Sequence, residues 1–383
     1  MKGKRDPVFV LNVIAARLRA AGSWIFRQIG RRWKVALLLL PVAIIALGLA
    51  AYGWWWRVLA DRVHDSVTQI QNEQKLLGRN LEWSAFEIGG FPYNVDASLS
   101  KTRLLAPDLG SVWDGERVVV RLRPLSLNSV KISLEGQQHF FHVSNGRWIE
   151  ADARADKALL TARSKDSSQS VSAEFERLTG KGKIDASDFH FILERGTAGV
   201  SLSAPDVQSA LPRLDVVAHI NNLGLQGHVE LPLGSSIESL DIDLGLKLPE
   251  KLPTVSVDAL LAAWRATNSP VEVRQFSFEW GGVSLSAVGE IKMDERDLPE
   301  GHLRLTLGNH ARILELLETY GVITKETHAT AKPVLDVLAF VSGDPKRKIS
   351  VPLRFMKGEV FLGPARIMTM PIPATPSNPE FVP

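Results

Sequence analysis

Asp241 and Asp243 are the side-chain pair best spaced for chemistry, two positions apart within Ser239-Leu240-Asp241-Ile242-Asp243-Leu244. On a strand that spacing puts both carboxylates on one face, where they could share a proton or offer oxygen ligands to a hard cation. Their setting argues for a wet surface instead, because the alternate positions Leu240, Ile242, Leu244, Leu246 and Leu248 are all aliphatic. His139 and His142 are three apart, and on a strand an odd spacing sends them to opposite faces, away from a common metal. Gly180-Lys181-Gly182-Lys183 has the glycines and lysines of a phosphate cradle. It lacks the upstream glycine and the hydroxyl after lysine, so it reads as a turn. The chain has no cysteine, which excludes disulfides, thiolate catalysis and cysteine-ligated zinc. Neither a Gly-x-Ser-x-Gly elbow nor a His-Glu-x-x-His helix occurs. The expectation is a noncatalytic protein with no catalytic, cofactor-binding or metal-ligating residues.

The elements that would position any site begin with an uncharged run of 22 residues, Val35 to Trp56. As a helix it reaches roughly 33 Å, enough to cross a hydrocarbon core of about 30 Å. It is entered through Arg31, Arg32, Trp33 and Lys34 and left through Trp54, Trp55 and Trp56, basic and aromatic residues that suit the two membrane interfaces. Residues 1–34 hold nine basic residues against the single acid Asp6, a net of +8 that keeps this arm in the cytoplasm. With the arm set aside, the 45 basic and 42 acidic residues become 36 and 41, a net of −5. The folded part is thus mildly acidic and is expected to bind no nucleic acid, which needs a concentrated basic face. Val8, Leu11, Ile14, Leu18 and Ile25 recur near helical spacing, so the arm reads either as an interfacial amphipathic helix or as a disordered basic tail. Gly48-Leu49-Ala50 offers a small-x-small cleavage site, but the long basic region and the three tryptophans favour an anchor over a cleaved signal.

After the span, Val58, Leu59, Val63, Val67, Ile70 and Leu77 keep a helical rhythm to Gly78, a stalk over 57–79 with a glycine stop. From Leu81 the period changes to two. Alternating runs include Val95/Ala97/Leu99, Val118/Val120/Leu122, Phe276/Phe278/Trp280 and Leu303/Leu305/Leu307. Strands apolar on one face only argue for antiparallel pairing. Helices are few and late: Val257 to Trp264, Ile313 to Leu317, and Val334 to Val341 with Pro333 at its first position. The fold class is α+β, mainly β: one N-terminal transmembrane helix (35–56), then a large antiparallel, curled sheet domain (80–370). A Pro-rich tail over 371–383 is expected to be disordered. Phe86-Glu87-Ile88-Gly89-Gly90-Phe91 and Phe278-Glu279-Trp280-Gly281-Gly282-Val283 share a pattern, read either as two ordinary Gly-Gly hairpins or as the mark of two related halves.

The anchor, the stalk, Gly89-Gly90-Phe91-Pro92-Tyr93, Gly281-Gly282, Pro352-Leu353-Arg354-Phe355-Met356-Lys357-Gly358 and Leu362-Gly363-Pro364 together resemble the bacterial envelope family known as domain of unknown function 2125. The resemblance spans roughly residues 35 to 370. More distantly the chain is similar to AsmA-like envelope proteins, which implies inner-membrane anchoring and a β-sheet groove associated with phospholipid traffic. Neither resemblance implies a catalytic residue.

Those observations lead to a single-pass inner-membrane protein with a cytoplasmic amino terminus and a periplasmic sheet. Its expected partners are the bilayer itself, a phospholipid or other apolar ligand, and envelope proteins. The candidate trough is lined by Phe276, Phe278, Trp280, Leu303 and Leu305. The competing reading is a filled core in a protein-interaction scaffold.

Overall fold

The computed structural model describes residues 7–144, 146–165, 167–185, 187–205, 211–227, 231–249, 263–294, 296–341, 348–363 and 365–370, with the backbone alone over 7–40 and at 144 and 365. The chain divides into two compact units, Met1–Val63 and His64–Pro383. The expected disordered tail at 371–383 lies outside the described residues, as do Val257, Leu260 and Leu261 of the first expected late helix; residues 263–266 are helical.

Helix α1 covers Pro7–Leu76 and carries Pro41 in its interior. Its stretch Pro41–Leu76 contains a segment long and apolar enough to cross a membrane. Every residue from 41 to 50 is exposed, including Val42, Ile44, Ile45 and Leu47, an apolar surface that water does not stabilise. The helix ends where Gly78 adopts a left-handed conformation and Arg79 N–H donates to the Gln74 carbonyl, satisfying an otherwise orphaned acceptor.

In the second unit, seventeen strands form one antiparallel sheet. β1 (Asn80–Glu82) and β2 (Ala85–Gly89) both pair with β3 (Val95–Ala106), which pairs with β4 (Ser111–Arg123), and that with β5 (Ser126–Ser144). β6 (Arg147–Arg154) and β7 (Lys157–Lys165) lie end to end between β5 and β8 (Ser168–Ile184). The meander continues through β9 (Ser187–Ser203), β10 (Arg213–Gly227), β11 (Ser236–Lys247), β12 (Val271–Trp280), β13 (Val283–Met293), β14 (Pro299–Gly308), β15 (Ile349–Met356), β16 (Glu359–Leu362) and β17 (Ala365–Thr369).

Register keeps one face apolar across these rows. Leu244 pairs with Val216, Val216 with Val200, and Val200 with Val171; in the other direction Phe278 pairs with Leu285 and Leu285 with Leu307. In two of the longest strands, single left-handed residues shift the phase of the alternation by one. Arg177 on β8 and Asn222 on β10 have positive φ, so Phe175 and Leu178, and likewise Ile220 and Leu223, occupy the same face although three apart.

The apolar face is covered at its C-terminal end. Helices α2 (His310–Thr319) and α3 (Lys325–Val341) supply Leu314, Leu335 and Ala339 to a core with Leu307, Ile349 and Val351 of the sheet. The buried His310 Nε2 lies 2.8 Å from Asp336 Oδ1, joining the two helices. Pro333 does not begin its helix as expected. The Thr324 hydroxyl accepts from Thr327 N–H at 3.1 Å and caps the helix eight residues earlier, leaving Pro333 in its interior. A second buried stretch lies on β3, where Val95 and Ala97 are fully buried.

Gly180-Lys181-Gly182-Lys183 is not a turn but the interior of β8. The rings of Phe189 and Phe191 lie over the two glycines: a Cβ at Gly180 would meet the Phe191 ring at 2.5 Å and the Asp152 carbonyl at 2.4 Å. The glycines make room for aromatic side chains on the next strand. The two Gly-Gly segments also differ. Gly281 and Gly282 both have positive φ and form a two-residue hairpin between β12 and β13, whereas Gly89 ends β2 and only Gly90 has positive φ.

Candidate apolar ligand trough

All five residues expected to line a trough fall on the apolar face. Phe276 pairs with Ala287 and Ala287 with Leu305, so a phenyl ring and a leucine flank a small residue in one row. Phe276 and Phe278 meet edge to face with centroids 6.1 Å apart. Trp280 is oriented by its indole N–H, which donates to the Gly234 carbonyl at 2.9 Å. The five are not equivalent. Leu303 is buried and Leu305 packs on the helical core, while Phe276, Phe278 and Trp280 remain half-buried.

The barest part of the face lies farther toward the N-terminal strands. Val171 is 54% exposed and Val200 44%, although both project from the face that is buried under α2 and α3. With Val130, Ala162, Leu202 and Leu127 they line an apolar cavity of about 400 Å³ at the ends of β5, β7, β8 and β9. A volume of this size falls within the range of small-ligand sites. A second apolar cavity of about 380 Å³ lies between α3 and the last strands, lined by Val334, Leu335, Leu338, Val351 and Leu362 with Arg366 at its edge. Val171 escaped sequence reasoning because β8 opens Ser168-Gln169-Ser170-Val171-Ser172, whose serines mask the alternation.

The opposite face carries an ion-pair network across β10, β11 and β12. Arg274 donates to Asp215 at 2.6 Å and also to Asp243, while Arg213 donates to Asp215 at 2.9 Å and to Glu272 at 2.8 Å. Partial burial pushes the Asp215 carboxyl up, but hydrogen bonds from Arg213 and Arg274 outweigh it and hold the group below the usual carboxylate range. Arg274 is correspondingly raised, chiefly by its bond to Asp243. Asp241 accepts from Ser277 at 3.2 Å and lies 2.8 Å from His219 Nδ1. The aspartates most suggestive of acid–base chemistry are therefore cross-strand struts. His139 lies 3.0 Å from Asp152, while His142, paired with Ile149 on the other face, contacts Ser111 at 2.9 Å. Among the described residues, no group of three or more His, Cys, Asp or Glu side chains is arranged to hold a metal ion.

Of the expected anchor residues, Arg31, Arg32, Trp33 and Lys34 lie within α1, their side chains outside the described set. Trp54 is exposed on the same helix, and Trp55 and Trp56 are half-buried.

Residues 56–371 match a family described as an uncharacterized protein conserved in bacteria (DUF2125). Neither the curated proteins nor the solved structures yield a match to this chain.

Proposed function

The chain belongs to the DUF2125 family, whose description carries no activity, and from that premise we propose a noncatalytic, membrane-anchored protein that holds a lipid or other apolar ligand against the bare middle of its sheet. The observation carrying this reading is the exposure of Val171 and Val200 on a face that is elsewhere the core. In this reading α1 crosses the inner membrane of a Gram-negative cell once, with its basic arm in the cytoplasm and the sheet in the periplasm. The test is lipid retained by the full chain after extraction and exchange into a non-ionic detergent, compared by mass spectrometry with Val171→Asp/Val200→Asp. Lipid bound around α1 is common to both proteins. Loss of a stoichiometric lipid from the variant supports the trough, and identical lipid content refutes it.

A second reading, an envelope scaffold, draws on the end of α3, where Phe340 is 88% exposed and Val341 74%. A photoreactive residue at Phe340 that captures a defined protein in cells would favour it, and capture of none would count against it.

A further inference from the structure

We propose that Arg123, Lys131, Arg163 and Lys165 form a phosphate-binding rim, which holds the headgroup of a phospholipid whose acyl chains enter the apolar cavity lined by Val130, Ala162, Val171 and Val200. The proposal rests on the lipid reading above and names the headgroup chemistry of the same site.

Three observations carry it. The four cations, with Arg121, line a cavity of about 480 Å³ whose other lining residues are Asn94, Ser126, Asn128 and Ser129, with no carboxylate among them. Arg121 is already held by Asp96 through two hydrogen bonds of 2.8 Å. The other four have no ion-pair partner among the described residues. Such a cluster is out of keeping with a chain whose net charge beyond the basic arm is −5.

The register adds to this. Lys131 sits directly opposite Arg121 across β4 and β5. Asp96 neutralises Arg121 from the other side, which leaves Lys131 as the uncompensated charge of the row, available to an anion.

Finally, the basic and apolar cavities adjoin. Asn128 and Arg163 line both. Val130 and Ala162 project from the apolar face, and Lys131 and Arg163, one position along, from the other. Cations and apolar lining therefore meet at the strand ends, where an amphiphile can lay its chains on one face and its phosphate over the rim. Guanidinium and ammonium groups together suit phosphate oxygens.

The test titrates the full chain in non-ionic detergent with three probes, using calorimetry: inorganic phosphate, dihexanoylphosphatidate and dihexanoylglycerol. Phosphatidate should bind about tenfold or more tighter than diacylglycerol, the discrimination that one charge-assisted hydrogen bond supplies. In Lys131→Gln/Lys165→Gln, two residues that line the basic cavity alone, phosphatidate should weaken to the level of diacylglycerol, whose own binding stays unchanged and reports an intact fold. Equal binding of the two lipids, or an unchanged phosphatidate affinity in the variant, would overturn the headgroup assignment and leave the trough standing. Inorganic phosphate binding as tightly as phosphatidate would mark a free-anion site and overturn the link to lipid. Binding of neither lipid would overturn the trough itself, and this proposal with it.

Discussion

Truncating Ile349 and truncating Val171 should have very different costs, although both are aliphatic residues on the same face of one sheet. Ile349 is 1% exposed and packs with Leu307, Leu335 and Val351 beneath the two helices. Ile349→Ala removes three carbon groups at about 0.8 kcal/mol each, or about 2.4 kcal/mol of transfer free energy. The cavity left in a close-packed core raises the cost to about 3–4 kcal/mol. Val171 is 54% exposed. Val171→Ala removes two carbon groups, about half of whose surface already meets water, so the loss is about 0.7 kcal/mol with no enclosed cavity to add. The difference, about 3 kcal/mol, should appear as a large fall in the urea midpoint of the sheet for Ile349→Ala and a slight one for Val171→Ala. The assay uses lipid-depleted full chain in detergent, followed by tryptophan fluorescence. Equal costs would refute the reasoning, because they would mean that the middle of the face is as well covered as its C-terminal end.

Other outcomes follow from the same geometry. Gly180→Ala should lower stability by about 1–3 kcal/mol through overpacking against Phe191 and the Asp152 carbonyl, whereas the neighbouring, exposed Lys181→Ala should change it by no more than about 0.5 kcal/mol in the same denaturation assay. Arg274→Ala should cost about 1 kcal/mol at pH 7, a modest figure because the ion pairs are partly solvated. The Asp215 carboxyl is depressed in the folded chain, so its stabilisation is full above the ordinary carboxylate pKa of about 4 and is lost as pH falls through the lower folded value. Denaturation midpoints measured between pH 5 and 2 should therefore fall less steeply for Arg274→Ala than for the parent. An alkaline phosphatase reporter fused after Pro383 should be active, because the proposed topology exports the sheet; an inactive but intact fusion would reverse the topology.

Much of this architecture was legible in the sequence, and the reasons for the rest are local. The long apolar helix showed because no charge interrupts Val35 to Trp56, and the one-faced strands showed wherever alternation ran unbroken, as from Leu240 to Leu248. The long strands β8 and β10 did not show, because Arg177 and Asn222 shift the alternation by one residue and split each apolar stripe into shorter runs. The pair Gly180 and Gly182 looked like a turn because its partners, Phe189 and Phe191, come from the next strand. Phe276, Phe278 and Trp280 were found by period alone, yet period cannot tell a stripe covered by helices from one left bare. Leu305 and Phe276 carry the same local signal, yet only Leu305 packs on the helical core. The basic rim was invisible for a related reason: Arg123, Lys131 and Arg163 are spread over 41 residues and converge only through the pairing of β4, β5 and β7.

The most direct test of the central claim is photo-crosslinking in living cells from p-benzoylphenylalanine placed at Val171 and, separately, at Ser172. These neighbours are both exposed but project from opposite faces of β8. The account predicts a phospholipid-mass adduct on the peptide carrying position 171 and none on the same peptide labelled at 172. Adducts at both positions in equal yield, or at neither, would contradict it.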